Sequence, residues 1–122
     1  GHVFNNKKFG YRIYNDKDTS FPRLAKYVLD FGARYGERSK VHIYLVNKAL
    51  SDNKQLCELF REKYRSWREI IKKTIEERID EKEKAEGYAD LLLILIDGLI
   101  VQDLVGIENI DTKQIVSLII DK

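Results

Sequence analysis

The chain has little of what staples a small fold together from outside its hydrophobic core. A single cysteine, Cys57, excludes an intramolecular disulfide, and the two histidines do not gather with cysteine at metal-ligand spacing. Neither a structural metal nor a bound cofactor is expected, and a reducing cytoplasm is the compartment that this cysteine usage implies. One proline and seven glycines are too few punctuating residues for an all-β chain. Charge of one sign is also lacking: 22 basic and 20 acidic residues leave a formal charge of +2, too balanced to be an electrostatic footprint for nucleic acid. The most apolar run, Leu91 to Ile96, meets Asp97 long before it could span a bilayer, and Gly1 to Lys8 lacks the apolar stretch of a signal peptide.

What is present suits one helical domain. With 122 residues, 43% hydrophobic and 34% charged, the chain is long enough to bury a core and charged enough to solvate long helices. Residues 1–19 show no helical period and read as an irregular lead-in or the remnant of a preceding segment. From residue 20 to 122 the periodicity is helical. Ser20 is a candidate N-cap with Pro22 in the first turn, and Leu24, Tyr27, Val28 and Phe31 carry a helix expected to stop at Gly36. Ser39 is a candidate cap for a second helix holding Val41, Ile43, Leu45 and Val46, a run that a strand would tolerate but that finds no pairing partner.

The clearest signal follows. Asp52 with Gln55 forms a candidate capping box, and Leu56, Phe60, Tyr64, Trp67, Ile71, Ile75 and Ile79 recur at spacings of three and four. They predict an amphipathic helix of about seven turns, from Asn53 to Glu81. A polar stretch then leads through Gly87 to a fourth helix, Tyr88 to Val105, ended by Gly106. Asp111 with Gln114 repeats the capping pattern ahead of a short last helix.

The fourth helix is apolar around nearly its whole circumference, and such a helix must be covered on every side. Five helices cannot do that alone, and each Leu or Ile left wet would forfeit roughly 1.5–3 kcal/mol. A two-fold dimer in which this helix and the long one pair with their symmetry mates is the expected solution. Gly98 in mid-helix fits close approach of a second backbone, the alternative being a neutral glycine on a monomer's core helix. Asp90 and Asp97 share a stripe among Leu and Ile, either as a solvated edge or as a buried carboxylate that recognises a basic ligand.

Leu59 to Ile79 resembles the long penultimate helix of TetR/AcrR-family regulatory domains. Tyr88-Ala89-Asp90-Leu91-Leu92-Leu93-Ile94-Leu95-Ile96-Asp97-Gly98-Leu99-Ile100-Val101-Gln102 resembles the dimerisation helix of the same family, and Ile110 to Gln114 followed by an apolar helix is similar to its C-terminus. The resemblance covers the chain from Ser20 onward and implies an all-α antiparallel bundle of about five helices. It also implies a homodimer, an effector-sensing domain of a transcriptional repressor, and DNA contact only through a helix-turn-helix part that these residues do not supply. The interface it implies comprises Ile71, Ile75, Leu91, Ile94, Leu95, Gly98, Val101, Gln102 and Val105. An effector pocket would lie between the first three helices, lined by Tyr27, Phe31, His42, Tyr44, Phe60, Tyr64 and Trp67, a set suited to a small apolar or aromatic ligand. Trp67 could equally be an interface anchor.

Two other classes compete. No Ser/His/Asp order, no Glu-x-x-His pair and no Gly-rich phosphate loop exists, so an enzyme is not expected and no catalytic residue is named. A helical adaptor that only dimerises would share the apolar helix and differ in having no ligand pocket.

Overall fold

The computed structural model describes residues 19–33 and 37–120. Helices α1 (Phe21–Ala33), α2 (Glu37–Ser51), α3 (Lys54–Glu76), α4 (Ala85–Leu104) and α5 (Thr112–Ile119) follow in order, with one 3₁₀ turn at Lys82–Lys84 before α4. No strand occurs among the described residues, so the fold class is all-α. The lead-in before Thr19, and the expected stop of the first helix at Gly36, lie outside the described residues.

Local chemistry sets the helix ends. The Ser20 hydroxyl accepts from the Arg23 amide, as the sequence suggested. Asp111 caps α5 by accepting from the Gln114 amide at 2.9 Å. The cap of α3 falls one residue later than the pattern indicated: Asn53, not Asp52, has the extended backbone and accepts from Leu56 at 3.0 Å. Ser39 is no cap at all, because α2 has already begun at Glu37 and Ser39 is buried inside it.

Helix α3 stops at Glu76 rather than Glu81. Arg78 accounts for the end: its side chain is almost wholly buried and donates to the Thr74 carbonyl at 2.7 Å and the Thr19 carbonyl at 3.0 Å. The guanidinium thus serves an otherwise unpaired C-terminal carbonyl of α3 and ties it to the chain entering α1. Helix α4 starts earlier than expected, at Ala85, so Gly87 lies within its first turn. Its far end closes as a Schellman motif, in which Ile107 donates to Gln102 and Gly106, at φ 95°, donates to Asp103.

The core runs along one side of each helix. Leu24 and Leu29 of α1, Ile75 of α3 and Leu92 of α4 are the largest side chains fully enclosed, joined by Val116 of α5. Helix α4 packs against both α3 and α1, and α5 lies on α1, pinned where Thr112 Oγ1 donates to Asp30 at 2.6 Å. None of the helices among the described residues is long and apolar enough to cross a membrane.

Candidate functional site

The helices line a cavity open to the surface, of about 500 Å³, between α1, α2, α3 and α4, within the roughly 300–1,000 Å³ typical of small-molecule sites. Helical spacing explains how each helix contributes a wall. Tyr27 and Phe31 of α1 lie one turn apart, as do Tyr64, Trp67 and Ile71 of α3 and Leu93, Ile96 and Ile100 of α4; Gly32 and Asp97 beside them, and Ser39 and His42 of α2, also line it.

Of the residues that the sequence singled out for a ligand, Tyr27, Phe31, His42, Tyr64 and Trp67 come together here. Tyr27 and Phe31 stack with centroids 5.3 Å apart, and Tyr64 meets Trp67 edge-on at 5.1 Å. Two do not line the cavity. Phe60 stands behind the wall, edge-on to the His42 ring at 5.6 Å, and Tyr44 points outward at 59% exposure. Tyr44 fails because its position on α2, two residues beyond His42, turns it to the opposite face of the helix. Trp67 belongs to the cavity wall.

The fourth helix was missing from the expected pocket, although its Asp97, read from the sequence either as a solvated edge or as a buried carboxylate for a basic ligand, lines the cavity. Its apolar residues carried no signal that would separate a cavity wall from packed core.

Asp97 is the polar centre of the cavity. Tyr64 donates its hydroxyl to the two carboxylate oxygens at 3.0 and 2.9 Å, and His42 Nε2 lies 3.3 Å from the Tyr64 oxygen and 3.8 Å from Asp97 Oδ1. Because the single phenolic hydrogen is directed at the carboxylate, the contact with His42 is a hydrogen bond only when Nε2 carries the proton. The chain His42, Tyr64, Asp97 therefore links α2, α3 and α4 at one wall. Burial raises the Asp97 carboxyl above its ordinary range, against the opposing influences of the Tyr64 hydrogen bond and the His42 charge. Burial and the neighbouring Asp97 likewise raise the Tyr64 phenol, which stays a neutral donor.

Asp90, on the same stripe as Asp97, behaves differently. It pairs with Arg68 of α3 at the surface, so the two aspartates separate into a solvated edge and a half-buried acid. No group of acidic, histidine and cysteine side chains among the described residues could hold a metal ion.

A second feature lies on the outer side of α4. Ile94, Val101 and Val105 are 67%, 49% and 73% exposed, with Gly98 and Gln102 exposed between them and Leu91 and Leu95 half-buried beside them. Positions 91, 94, 95, 98, 101, 102 and 105 follow a heptad-like spacing, so they form one stripe along the helix. A Cβ on Gly98 would meet nothing within 4 Å, which leaves room there for another backbone. Ile71 and Ile75, expected beside this stripe, are instead enclosed by the chain itself at 7% and 0% exposure. They lie on the face of α3 that packs inward, and no second chain can reach Ile75.

The family model of the C-terminal domain of BetI-type transcriptional repressors matches residues 23–121. No curated protein and no solved structure matches the chain.

Proposed function

The chain belongs to the family of BetI-type transcriptional repressor C-terminal domains, and from that premise we propose that it is the effector-sensing and dimerising part of a TetR-type repressor. The observation that carries the proposal is that one helix, α4, presents a cavity wall on one side and an uncovered apolar stripe on the other.

The stripe from Leu91 to Val105 is the dimer surface, where a second copy covers Ile94, Val101 and Val105 and the bare backbone at Gly98 lets the two α4 helices approach. The cavity takes a small molecule with an apolar or aromatic body. Helix α1 is the element through which occupancy is transmitted. It bounds the cavity with Tyr27, Val28, Phe31 and Gly32 and leads toward the N-terminal side, where the repressor's helix-turn-helix part belongs. A ligand that separates α1 from α4 changes the setting of the DNA-reading part relative to the dimer axis. Such couplings amount to about 1–3 kcal/mol, enough to release an operator.

Sedimentation velocity at micromolar protein, together with a thermal-shift screen of apolar and aromatic small molecules, tests both halves of this reading. A dimer, and a stabilising ligand whose effect Trp67→Ala abolishes, support it. A dimer that responds to no compound points instead to a helical adaptor that only dimerises, and a monomer removes the dimer surface from the reading.

A further inference from the structure

The backbone ahead of α1 is tied to the far end of α3. The carbonyl of Thr19, a buried residue, accepts from Arg78 Nε at 3.0 Å, and the same guanidinium donates through Nη1 to the Thr74 carbonyl at 2.7 Å. Thr74 lies in the last turn of α3, close behind Ile71 in the cavity wall and beside Ile75 in the core. Arg78 is itself fixed to that helix end, since its amide donates to the Ile75 carbonyl at 2.8 Å. One planar, almost wholly buried group thus joins a cavity-bearing helix to a carbonyl 59 residues away in sequence. Phe21 meets Tyr88 of α4 edge-on with centroids 4.8 Å apart, which holds the side chain of the first residue of α1 but not the backbone before it. The first turn of α1 depends on that backbone, because the Arg23 and Leu24 amides donate to the Ser20 hydroxyl and the Ser20 carbonyl.

We propose that Arg78 is a positioning residue that gives the cavity a second route to the chain ahead of α1, through the C-terminal end of α3 instead of along α1 itself. The proposal rests on the effector-sensing reading above and adds to it a residue through which the wall reports. A shift of α3 at Ile71 is carried one turn on to Thr74 and Ile75 by the helix's own hydrogen bonds, and Arg78 passes it to Thr19, one residue before the Ser20 cap. The side chain suits the task. A guanidinium holds two acceptors at once in a fixed relation, which the single ammonium of a lysine does not. Burial keeps water from competing for either carbonyl, so the two ends move together.

Hydrogen–deuterium exchange on the full chain, followed amide by amide by NMR, tests this without any ligand. Arg78→Met keeps a buried apolar stem and loses both donors. It should speed exchange of the Leu24 amide about tenfold or more, while Leu29 in the middle of α1 and Leu92 of α4 stay within about threefold of the native chain. Arg78→Lys, which reaches one carbonyl at a time, should fall between the two, and it takes the place of the Met variant throughout if that variant does not fold. A merely stabilising role would speed all three amides together. The route itself is read with Ile71→Val, which trims the cavity wall: it should change Leu24 exchange about threefold with Arg78 present and leave it unchanged once Arg78 is replaced. Unaltered Leu24 exchange in the Arg78 variants, a uniform loss at all three amides, or an Ile71→Val effect that is absent or equal in both backgrounds overturns the proposal. Because no ligand enters, a failed compound screen counts against the effector reading alone, and a failed exchange experiment against Arg78 alone.

Discussion

Gly32 of α1 lies so close to Ile96 of α4 that a Cβ on the glycine would sit 2.9 Å from Ile96 Cδ1 and 3.0 Å from Cγ1. The missing side chain lets the two helices meet at the edge of the cavity that both of them line. Any change in cavity contents that moves α4 is therefore felt directly by the backbone of α1.

Gly32→Ala should force Ile96 aside, and the open direction is into the cavity. Overpacking of this kind costs about 1–3 kcal/mol, which guanidinium unfolding would register as a lower midpoint. Adding Ile96→Val should recover part of the loss by removing Cδ1. A single variant as stable as the native chain would show that α1 and α4 are not in forced contact.

Asp97→Asn should stabilise the chain at neutral pH in the absence of ligand. The folded-state pKa of Asp97 is raised, so its protonated form favours folding below the ordinary value of 3.8, and that contribution is lost as pH rises through the raised value. The groups facing it are Tyr64 of α3 and His42 of α2, and both remain in the variant. Urea unfolding across pH 3.5 to 7 should accordingly show an advantage of the Asn variant that is full at the neutral end and fades toward the acid end. An advantage that grows on acidification would reverse the assignment.

Ile94→Lys separates assembly from folding. Ile94 is 67% exposed in the single chain, so a lysine there meets no clash within it. In a dimer joined along α4 it would put a charge among apolar partners on both copies. Sedimentation should shift from dimer toward monomer at micromolar concentration while far-ultraviolet dichroism is preserved. Retention of the dimer would place the interface elsewhere.

Ile75→Ala does the opposite. Ile75 is wholly enclosed and sits where α3 meets the core, so its truncation should cost about 2–5 kcal/mol of stability. The monomer–dimer equilibrium of whatever remains folded should be little changed, since the side chain does not reach the outside. A selective loss of dimer without loss of stability would contradict its burial.

Helix periods, caps and terminators are local, and they were legible in the chain. The three-and-four spacing of Leu56 to Ile75 marked α3, the pairs at Ser20 and Asp111 marked two helix starts, and Gly106 marked the end of α4. Where a cap was misplaced, as at Asp52 instead of Asn53, adjacent residues had the same capping chemistry and only backbone geometry separates them. The five aromatic and histidine residues that do meet at the cavity were visible for the same reason, since each lies on the inward face of its own helix.

Amino-acid order alone determined that the described residues build helices and no strand, and that α4 has more apolar surface than its neighbours can cover, because both follow from patterns within one helix. Which side of that helix stays uncovered was decided only when α1 and α3 docked on it, leaving Ile94, Val101 and Val105 outside and enclosing Ile71 and Ile75. Asp90 and Asp97 show the same limit, for they occupy one stripe seven residues apart. One meets Arg68 at the surface and the other meets Tyr64 inside, a difference set by contacts across 22 and 33 residues of chain, which no local pattern can encode.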